Sequence, residues 1–319
     1  MRASTLTDGV GLPVVLSPET PAERSLDSLA GWVRDNRADL VAMLHESGGV
    51  LFRGFELSTA PEFQRVVAAF NDDLRPYIEG QSQREPVHGA IYTSTSYPPE
   101  HTITLHNELS YANEPPRHIY FFCAKPADEA GETPIVDCRA VLDKLAPDTR
   151  EAFTGRGILY TKNMHDRAST GFGKSWQEHF ETDDAATVED YLRTGGVRFD
   201  WQGDGTLRTS QVRPAITVHP ETGEDIWFNQ ATLWHVSNFG AMRKPLLSLH
   251  GEEGLPTNAY FENGDPLDED QLQEVRDVMW AEATFFPWQV GDTLFLDNYL
   301  VAHGRNRFSG ERSILVGLS

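Results

Sequence analysis

The N-terminal part of the chain has a hydrophobic pattern that changes from helical to strand-like and back to helical. Apolar residues recur at helical spacing over Leu26–Glu46, and a pair of glycines then predicts the end of a helix. The short apolar run Val50–Phe55 predicts a strand. The segment Thr59–Glu62 has the residue spacing of a capping box, so we expect a second helix to begin there.

The rest of the chain predicts strands that are interrupted by helices. Strands are expected near residues 102–105, 118–124, 133–137, 225–229, 292–296 and 313–316, and helices near residues 139–145, 175–180, 185–194 and 269–282. No internal repeat or long linker divides the chain. We therefore predict a single domain over residues 1–319 that is mostly β with helical decoration, including a helical insertion at about residues 139–217.

Composition and charge exclude several classes of partner. The net charge of −21 argues against nucleic acid and against an anionic membrane surface, because both require clustered Lys and Arg. No apolar stretch is long enough to span a membrane, and the N-terminus lacks the apolar core of a signal peptide. Cys123 and Cys138 both lie in apolar runs, which predicts buried free thiols in a reducing, cytoplasmic location.

The segment around His106 carries the candidate metal chemistry. Residues Thr102–Leu105 alternate between polar and apolar, which predicts a strand, and side chains two positions apart on a strand share a face. His106 and Glu108 are therefore expected to close on one ion. His303 would complete a set of two histidines and one carboxylate, which leaves coordination positions open and suits a non-haem Fe(II) oxygenase.

Two further His-x-Glu sequences compete with this one. His219 and Glu221 flank a proline in a turn-like segment, whereas His250 and Glu252 lead into a Gly/Glu loop. We interpret both pairs as solvated polar residues at strand ends. Antiparallel strands with candidate ligands on both sides of a long helical insertion predict a jelly roll, and the absence of a Gly-rich phosphate loop disfavours a parallel α/β sheet.

Four stretches together resemble the taurine dioxygenase family of Fe(II)/2-oxoglutarate-dependent oxygenases. The similarity is greatest to its branch of clavaminate-synthase-like enzymes and amino-acid hydroxylases. The stretches are residues 106–111, 125–137, 226–230 and 291–305, and residues 85–319 follow the layout of the family.

The resemblance implies a cupin-like double-stranded β-helix in which His106, Glu108 and His303 bind iron, with 2-oxoglutarate and O2 as co-substrates. It also implies that the Thr133 hydroxyl and the Arg312 guanidinium bind the distal carboxylate of 2-oxoglutarate. An unpaired carboxylate is costly to bury, and a guanidinium can satisfy both of its oxygens. Because relatives that halogenate lack the carboxylate ligand, Glu108 favours hydroxylation.

The chain departs from the family pattern near its C-terminus. Many relatives have a second arginine where this chain has Ser313, and a proline where it has Arg307. Arg305 and Arg307 are therefore alternatives to Arg312 for the co-substrate, and both are candidates for binding the substrate. Asn107 is a third candidate, because this position faces the substrate in the branch that the chain resembles.

We therefore interpret the chain as a dioxygenase that hydroxylates an unactivated C–H bond of a small molecule, an amino acid or a derivative of one in natural-product biosynthesis. The substrate is either free or bound to a carrier protein, and the oligomeric state is left open. Desaturation, cyclisation or oxidative rearrangement at the same iron is the main alternative. A cupin-like metal-binding module and a zinc hydrolase are further alternatives, and both lack any need for a carboxylate clamp beside the metal.

Overall fold

The structure is a computed structural model that describes residues 1–7, 10–78, 80, 84–169 and 171–319. Its strands are β1 (Arg2–Thr7), β2 (Val10–Ser17), β3 (Gly49–Phe52), β4 (Pro86–His88), β5 (Ile91–Thr93), β6 (Ile103–His106), β7 (His118–Lys125), β8 (Glu129–Ala130), β9 (Ile135–Asp137), β10 (Gly157–Met164), β11 (Arg198–Trp201), β12 (Leu207–Pro214), β13 (Ile216–Val218), β14 (Asp225–Trp227), β15 (Thr257–Phe261), β16 (Thr293–Asp297), β17 (Val301–Arg305), β18 (Phe308–Ser309) and β19 (Ser313–Leu318). Its α-helices are α1 (Leu26–Asp35), α2 (Arg37–Ser47), α3 (Ala60–Phe70), α4 (Cys138–Lys144), α5 (Pro147–Phe153), α6 (Trp176–Phe180), α7 (Ala185–Thr194), α8 (Ala231–Trp234), α9 (Arg243–His250) and α10 (Glu269–Ala281), and short 3-10 helices cover Pro21–Arg24 and Val236–Met242. Helix and strand account for 31% and 29% of the chain, so the expectation of a mostly β protein was wrong and the fold is mixed.

The first predicted helix is divided into two in the structure. Asn36 has φ −114° and ψ 27°, which interrupts the helical backbone between α1 and α2. The predicted capping box is confirmed: the Thr59 hydroxyl accepts a hydrogen bond from the Glu62 N–H, and the Glu62 carboxylate accepts one from the Thr59 N–H. None of the helices that the structure describes has both the length and the apolar character needed to cross a membrane.

An eight-stranded sheet forms the centre of the molecule, with strand order β1-β2-β3-β16-β7-β19-β5-β4. Its pairs are antiparallel except for β2 with β3. Strand β7 is buried on both faces, which explains its unbroken apolar run. Ile119, Phe121 and Cys123 face one hydrophobic cluster, whereas Tyr120 and Phe122 face a second cluster that includes the apolar sides of α1, α2 and α3.

A three-stranded antiparallel sheet, in the order β6-β17-β9, carries the predicted metal ligands. His303 at the centre of β17 is in register with His106 on one side and with Ile135 on the other. The β6–β17 pairing shifts register between His303 and Arg305, where β17 meets Ile103, as in a β-bulge. Two distant parts of the sequence are thus brought into direct contact.

The segment between residues 139 and 217 is more than the helical insertion that its sequence predicts. It contains α5, α6 and α7, but also β10, β11 and β12, which form a four-stranded sheet with β15 in the order β11-β12-β10-β15. Ile158 and Tyr160 of this sheet belong to the same hydrophobic cluster as Leu105 and Phe121. This four-stranded sheet therefore packs on the side of the molecule where the predicted ligands lie.

Candidate metal centre and its cavity

His106, Glu108 and His303 come together in the structure as the sequence predicts. One potential ligand atom of each lies within 4.8 Å of the others, and His303 Nε2 is 3.6 Å from Glu108 Oε2. Among the described residues no second cluster of three or more His, Cys, Asp or Glu side chains meets the same criterion. Two imidazoles and a carboxylate form a donor set that fits a divalent transition metal and leaves coordination positions open.

Glu108 reaches this cluster by a different route from the one that its sequence predicts. Strand β6 ends at His106, so the two side chains do not share a strand face. Glu108 lies instead in a tight turn, in which Leu109 has a left-handed φ of 52°. Asn298 holds the turn from both sides: its Oδ1 accepts the Glu108 N–H at 2.7 Å, and its Nδ2 donates to the Glu108 carbonyl at 2.9 Å.

The protonation states of the cluster favour metal binding. Burial, together with repulsion from His303, lowers the pKa of His106 to about 4, so the ring is neutral near pH 7. Its Nδ1 is 2.8 Å from the Thr104 carbonyl and must donate to it, which leaves the Nε2 lone pair available for a metal. Burial alone would raise the pKa of Glu108, but the adjacent Arg84 and imidazoles outweigh it and hold this pKa well below its usual range.

A cavity of about 580 Å³ opens beside the cluster, and His106 and Glu108 lie in its wall. Arg84, which the sequence interpretation missed, is also in the wall and is nearly buried. Its Nη2 donates to Glu108 Oε2 at 2.7 Å, and its guanidinium lies 3.8 Å from the centre of the Tyr77 ring. The sequence offered no signal for Arg84, because it lies in a polar segment without regular periodicity.

Thr133 and Arg312, the two residues predicted to bind 2-oxoglutarate, contact each other. Arg312 Nη2 donates to the Thr133 hydroxyl at 3.3 Å, and Trp288 Nε1 donates to the same oxygen at 3.1 Å. Because that oxygen accepts two hydrogen bonds, its own proton remains available for an anion. Gly131, beside Arg312, has a left-handed φ of 75°, and a Cβ there would lie 2.9 Å from Ala127 Cβ and 3.2 Å from Arg312 Cδ, so this position favours glycine. Burial, followed by repulsion from Arg305, lowers the pKa of Arg312 to about 10.

Three predicted substrate residues do not lie in the cavity wall. The Asn107 side chain is fully buried, and its Nδ2 donates to the Asn298 carbonyl at 2.7 Å. Arg305 is also buried, and its guanidinium donates hydrogen bonds to the carbonyls of Tyr97, Pro98 and His101. Arg307 is exposed. Substrate contacts by Asn107, Arg305 and Arg307 therefore stay predictions that this cavity does not support, and Asn107 and Arg305 use their polar groups for contacts within the protein.

The competing His-x-Glu sequences lie outside the cluster. His219 is fully buried rather than solvated, and its Nδ1 accepts the Thr222 N–H while its Nε2 lies 3.1 Å from Asp297 Oδ2. His250 is exposed, as predicted, but it ends helix α9 rather than a strand. Cys123 and Cys138 are buried free thiols, which confirms that part of the sequence interpretation.

Comparisons with known proteins identify the family of the chain. The family described as "Taurine catabolism dioxygenase TauD, TfdA family" matches residues 13–318. The chain is 36% identical to the dapdiamide synthesis protein DdaC of Enterobacter agglomerans, over 86% of this chain and 83% of that protein. It is 30% identical to a clavaminate synthase-like protein of Arabidopsis thaliana, over 96% and 93% of the two chains.

Solved structures share the fold at low sequence identity. PvcB, described as an Fe, alpha-ketoglutarate dependent oxygenase from an isonitrile synthetic pathway, has a TM-score of 0.53 at 16% identity, with 96% of this chain and 84% of that chain covered. AAD-2 in complex with Mn(II) and N-oxalylglycine has a TM-score of 0.56 at 12% identity, with 99% and 96% covered.

The chain belongs to the TauD/TfdA dioxygenase family. The predicted class of Fe(II)- and 2-oxoglutarate-dependent dioxygenase, with O2 as the second co-substrate, is thereby confirmed. Membership of this family favours an oxygenase over the zinc hydrolase and the cupin-like binding module.

Proposed function

We propose that His106, Glu108 and His303 are the iron ligands of this dioxygenase. The observation that carries the proposal is the convergence of two imidazoles and one carboxylate beside a cavity large enough for a small molecule, with His106 and Glu108 in its wall. The neutral His106 and the ionised Glu108 are in the states that a metal requires. Bound iron and 2-oxoglutarate would together supply the activation of O2 that oxidises a C–H bond.

Thr133 and Arg312 are proposed to bind the distal carboxylate of 2-oxoglutarate. Arg312 supplies a positive charge that burial makes costly to leave without an anion, and Thr133 supplies a hydroxyl proton. Both belong to the segments that flank the ligand strand: Thr133 lies two residues before Ile135, the register partner of His303. Trp288 fixes the hydroxyl from the other side.

The reaction proposed is hydroxylation of an unactivated C–H bond of an amino acid or an amino-acid derivative. DdaC is named for dapdiamide synthesis, which supports a place in natural-product biosynthesis. Desaturation, cyclisation or oxidative rearrangement with the same ligands is the second candidate. The chain's own contribution is to bind and orient the substrate and to exclude water from the buried ligands.

Several finer features belong to the same proposal. We infer one domain over residues 1–319, supported by the hydrophobic cluster that both main sheets share, and a jelly-roll arrangement of the strands around the metal, supported by the likeness to PvcB. The buried free thiols support a reducing, cytoplasmic location. The cavity would admit either a free substrate or the end of a substrate held by a carrier protein.

The test is anaerobic addition of Fe(II) and then 2-oxoglutarate, with the visible spectrum recorded at each step. A weak metal-to-ligand charge-transfer band that appears only after 2-oxoglutarate is added would support direct chelation of iron by the co-substrate. If iron binds stoichiometrically and no such band develops, the proposed co-substrate site is wrong.

A further inference from the structure

Arg84 has more hydrogen-bonding capacity than its known partner uses. Its side chain is 5% exposed, and its one ion pair within the described residues is with Glu108. Its Nε and Nη1 atoms are buried and have no hydrogen-bond partner among those residues. A buried guanidinium with unpartnered N–H groups is costly, and because Arg84 lines the cavity, an anion bound there would relieve this cost.

Metal binding increases the need for that anion. A divalent ion held by Glu108 takes up the carboxylate charge that otherwise neutralises Arg84, and two positive centres then share one carboxylate. Lys174 adds a third positive charge: its Nζ lies 5.7 Å from the centre of the Tyr77 ring, against which Arg84 also packs. Burial, followed by repulsion from Arg84, lowers the pKa of Lys174. Lys174 itself is not in the wall and interacts with Glu178 and Glu181, so Arg84 is the positive group that the described wall presents, although the whole chain carries a charge of −21.

The described wall has no comparable group that would bind a cationic part of a substrate. Glu108 is the single acidic residue among the described residues that line the cavity, and its charge is committed to the metal and to Arg84. Gln230 is a neutral acceptor in the wall: its Nε2 donates to the Asn107 carbonyl at 2.6 Å, which fixes the amide, and its Oε1 is buried without a partner among the described residues. An amide oxygen in this state fits an uncharged N–H group.

The mouth of the cavity is apolar. Tyr97, Phe172 and Met242 lie in the wall and are 49%, 48% and 49% exposed. Phe239, which packs edge-to-face against Phe172, and Leu233 also line the cavity. The positive and polar groups therefore lie near the metal ligands, whereas the part of the wall that reaches solvent favours an apolar group.

We propose that the substrate is an N-acylated amino acid with a free carboxylate. The carboxylate binds Arg84, the amide N–H donates to Gln230 Oε1, and an apolar portion lies at the mouth of the cavity. This inference rests on the proposed function and narrows it, because it excludes free amino acids with an unpaired ammonium group. Arg84 becomes a substrate-binding residue, and it also helps to position the Glu108 carboxylate.

The test compares three forms of one amino acid as ligands for the wild-type protein: the N-acetyl amino acid, the free amino acid and the N-acetyl amino acid amide. The side chains are those of glycine, alanine, leucine, asparagine and phenylalanine. Binding is measured by calorimetry on the anaerobic protein loaded with Fe(II) and 2-oxoglutarate, and by the change in the charge-transfer band. For the side chain that binds best, we expect the N-acetyl amino acid to bind at least tenfold more tightly than either other form.

Two variants assign the effect to Arg84. Arg84→Lys and Arg84→Gln should weaken binding of the N-acetyl amino acid tenfold or more, with the larger loss for glutamine, whereas the exposed control Arg34→Gln should bind as the wild type does. Iron stoichiometry and 2-oxoglutarate affinity are measured for each variant. If Arg84→Lys weakens 2-oxoglutarate binding and spares the N-acetyl amino acid, the guanidinium serves the co-substrate and the inference is wrong.

The remaining outcomes are equally decisive. The inference is overturned if the free amino acid or the amide binds as well as the N-acetyl amino acid, or if no N-acetyl form of any side chain binds at millimolar concentration. Calorimetry is repeated without iron and 2-oxoglutarate, because ligand binding can then be measured even if no charge-transfer band forms. A missing band therefore counts against the iron and 2-oxoglutarate assignment, and a missing ligand preference counts against the role of Arg84.

Discussion

His106 and His303 are direct cross-strand partners in an antiparallel pair, although all four strands of the sheet β11-β12-β10-β15 lie between them in the sequence. Residues in register share a face of the sheet, so the two imidazole rings project on the same side, with their centres 4.6 Å apart. The spacing of the two histidines is therefore set by the pairing of β6 with β17.

The first prediction concerns the metal itself. His106→Ala should abolish stoichiometric binding of Fe(II), because one of three protein ligands is lost. His250→Ala should bind iron as the wild type does, since His250 is exposed at the end of α9. Anaerobic equilibrium dialysis measures both. If the His250 variant alone lost iron, the metal site would have to include His250 and Glu252 instead.

The second prediction concerns the co-substrate. Arg312→Ala should weaken 2-oxoglutarate binding by roughly 10- to 100-fold, as expected when a hydrogen-bonded charge pair is lost, while iron binding is largely retained. Thr133→Val should have a smaller effect in the same direction. Arg307→Ala is the matched control, because this arginine is exposed. Titration of the charge-transfer band measures all three, and an unchanged affinity in the Arg312 variant would refute the clamp.

The third prediction concerns the turn that carries Glu108. Asn298→Ala removes two hydrogen bonds to the Glu108 backbone and one to the Pro116 carbonyl, and it leaves these buried groups unsatisfied. We expect a loss of about 2–4 kcal/mol in the free energy of unfolding and weaker iron binding. Denaturant unfolding and dialysis measure the two effects. Asn263→Ala, at an exposed asparagine, should change neither.

The fourth prediction concerns the loop that Arg305 holds. Arg305→Lys loses the planar fork that donates to the carbonyls of Tyr97, Pro98 and His101, and one ammonium cannot replace all three contacts. Amide hydrogen exchange over residues 97–101 should become faster, and the free energy of unfolding should fall by about 1–3 kcal/mol. Unchanged exchange in this loop would mean that the arginine does not anchor it.

The fifth prediction concerns pH. Burial lowers the pKa of His118 to about 4 from an ordinary value of 6.5. Between these values the unfolded chain binds a proton that the folded protein does not, so the folded protein loses stability as the pH falls through this window. The contribution of His118 is up to about 3 kcal/mol. His118→Gln should flatten the dependence of the unfolding free energy on pH between 6.5 and 4, whereas His250→Gln should leave its slope unchanged.

Local signals in the sequence were sufficient for several elements. The capping box of α3 and the apolar run of β7 are determined by residues that are adjacent in the chain, and both were predicted nearly to the residue. The break between α1 and α2 at Asn36 was missed, because a helical pattern of apolar residues continues across it. The strands between residues 157 and 214 were largely missed. Strands β11 and β12 are mostly half-buried or exposed, so their sequences carry no apolar run.

The site shows the same division. His106, Glu108 and His303 were chosen from their spacing and from the resemblance of the surrounding stretches to a known family, and the structure brings them together. The reason given for the position of Glu108 was wrong, because a turn, rather than a strand, presents it. Asn107 and Arg305 have residue types that suit a binding site, and only the structure shows that the protein itself uses their polar groups. Arg84 could not be found, because its role depends on a contact with Glu108 that no local pattern encodes.

Strand β17 carries both the histidine of the metal cluster and, two residues later, the arginine that ties down residues 97–101. One short strand thus positions both a candidate metal ligand and a segment at the entrance of the cavity. Arg305 holds Tyr97 through its backbone carbonyl, which any side chain at this position would retain, and its guanidinium also lies 5.8 Å from the centre of the Tyr97 ring. Substrate preference can therefore change, in related chains or by design, through side chains at the entrance while the candidate metal ligands keep their positions.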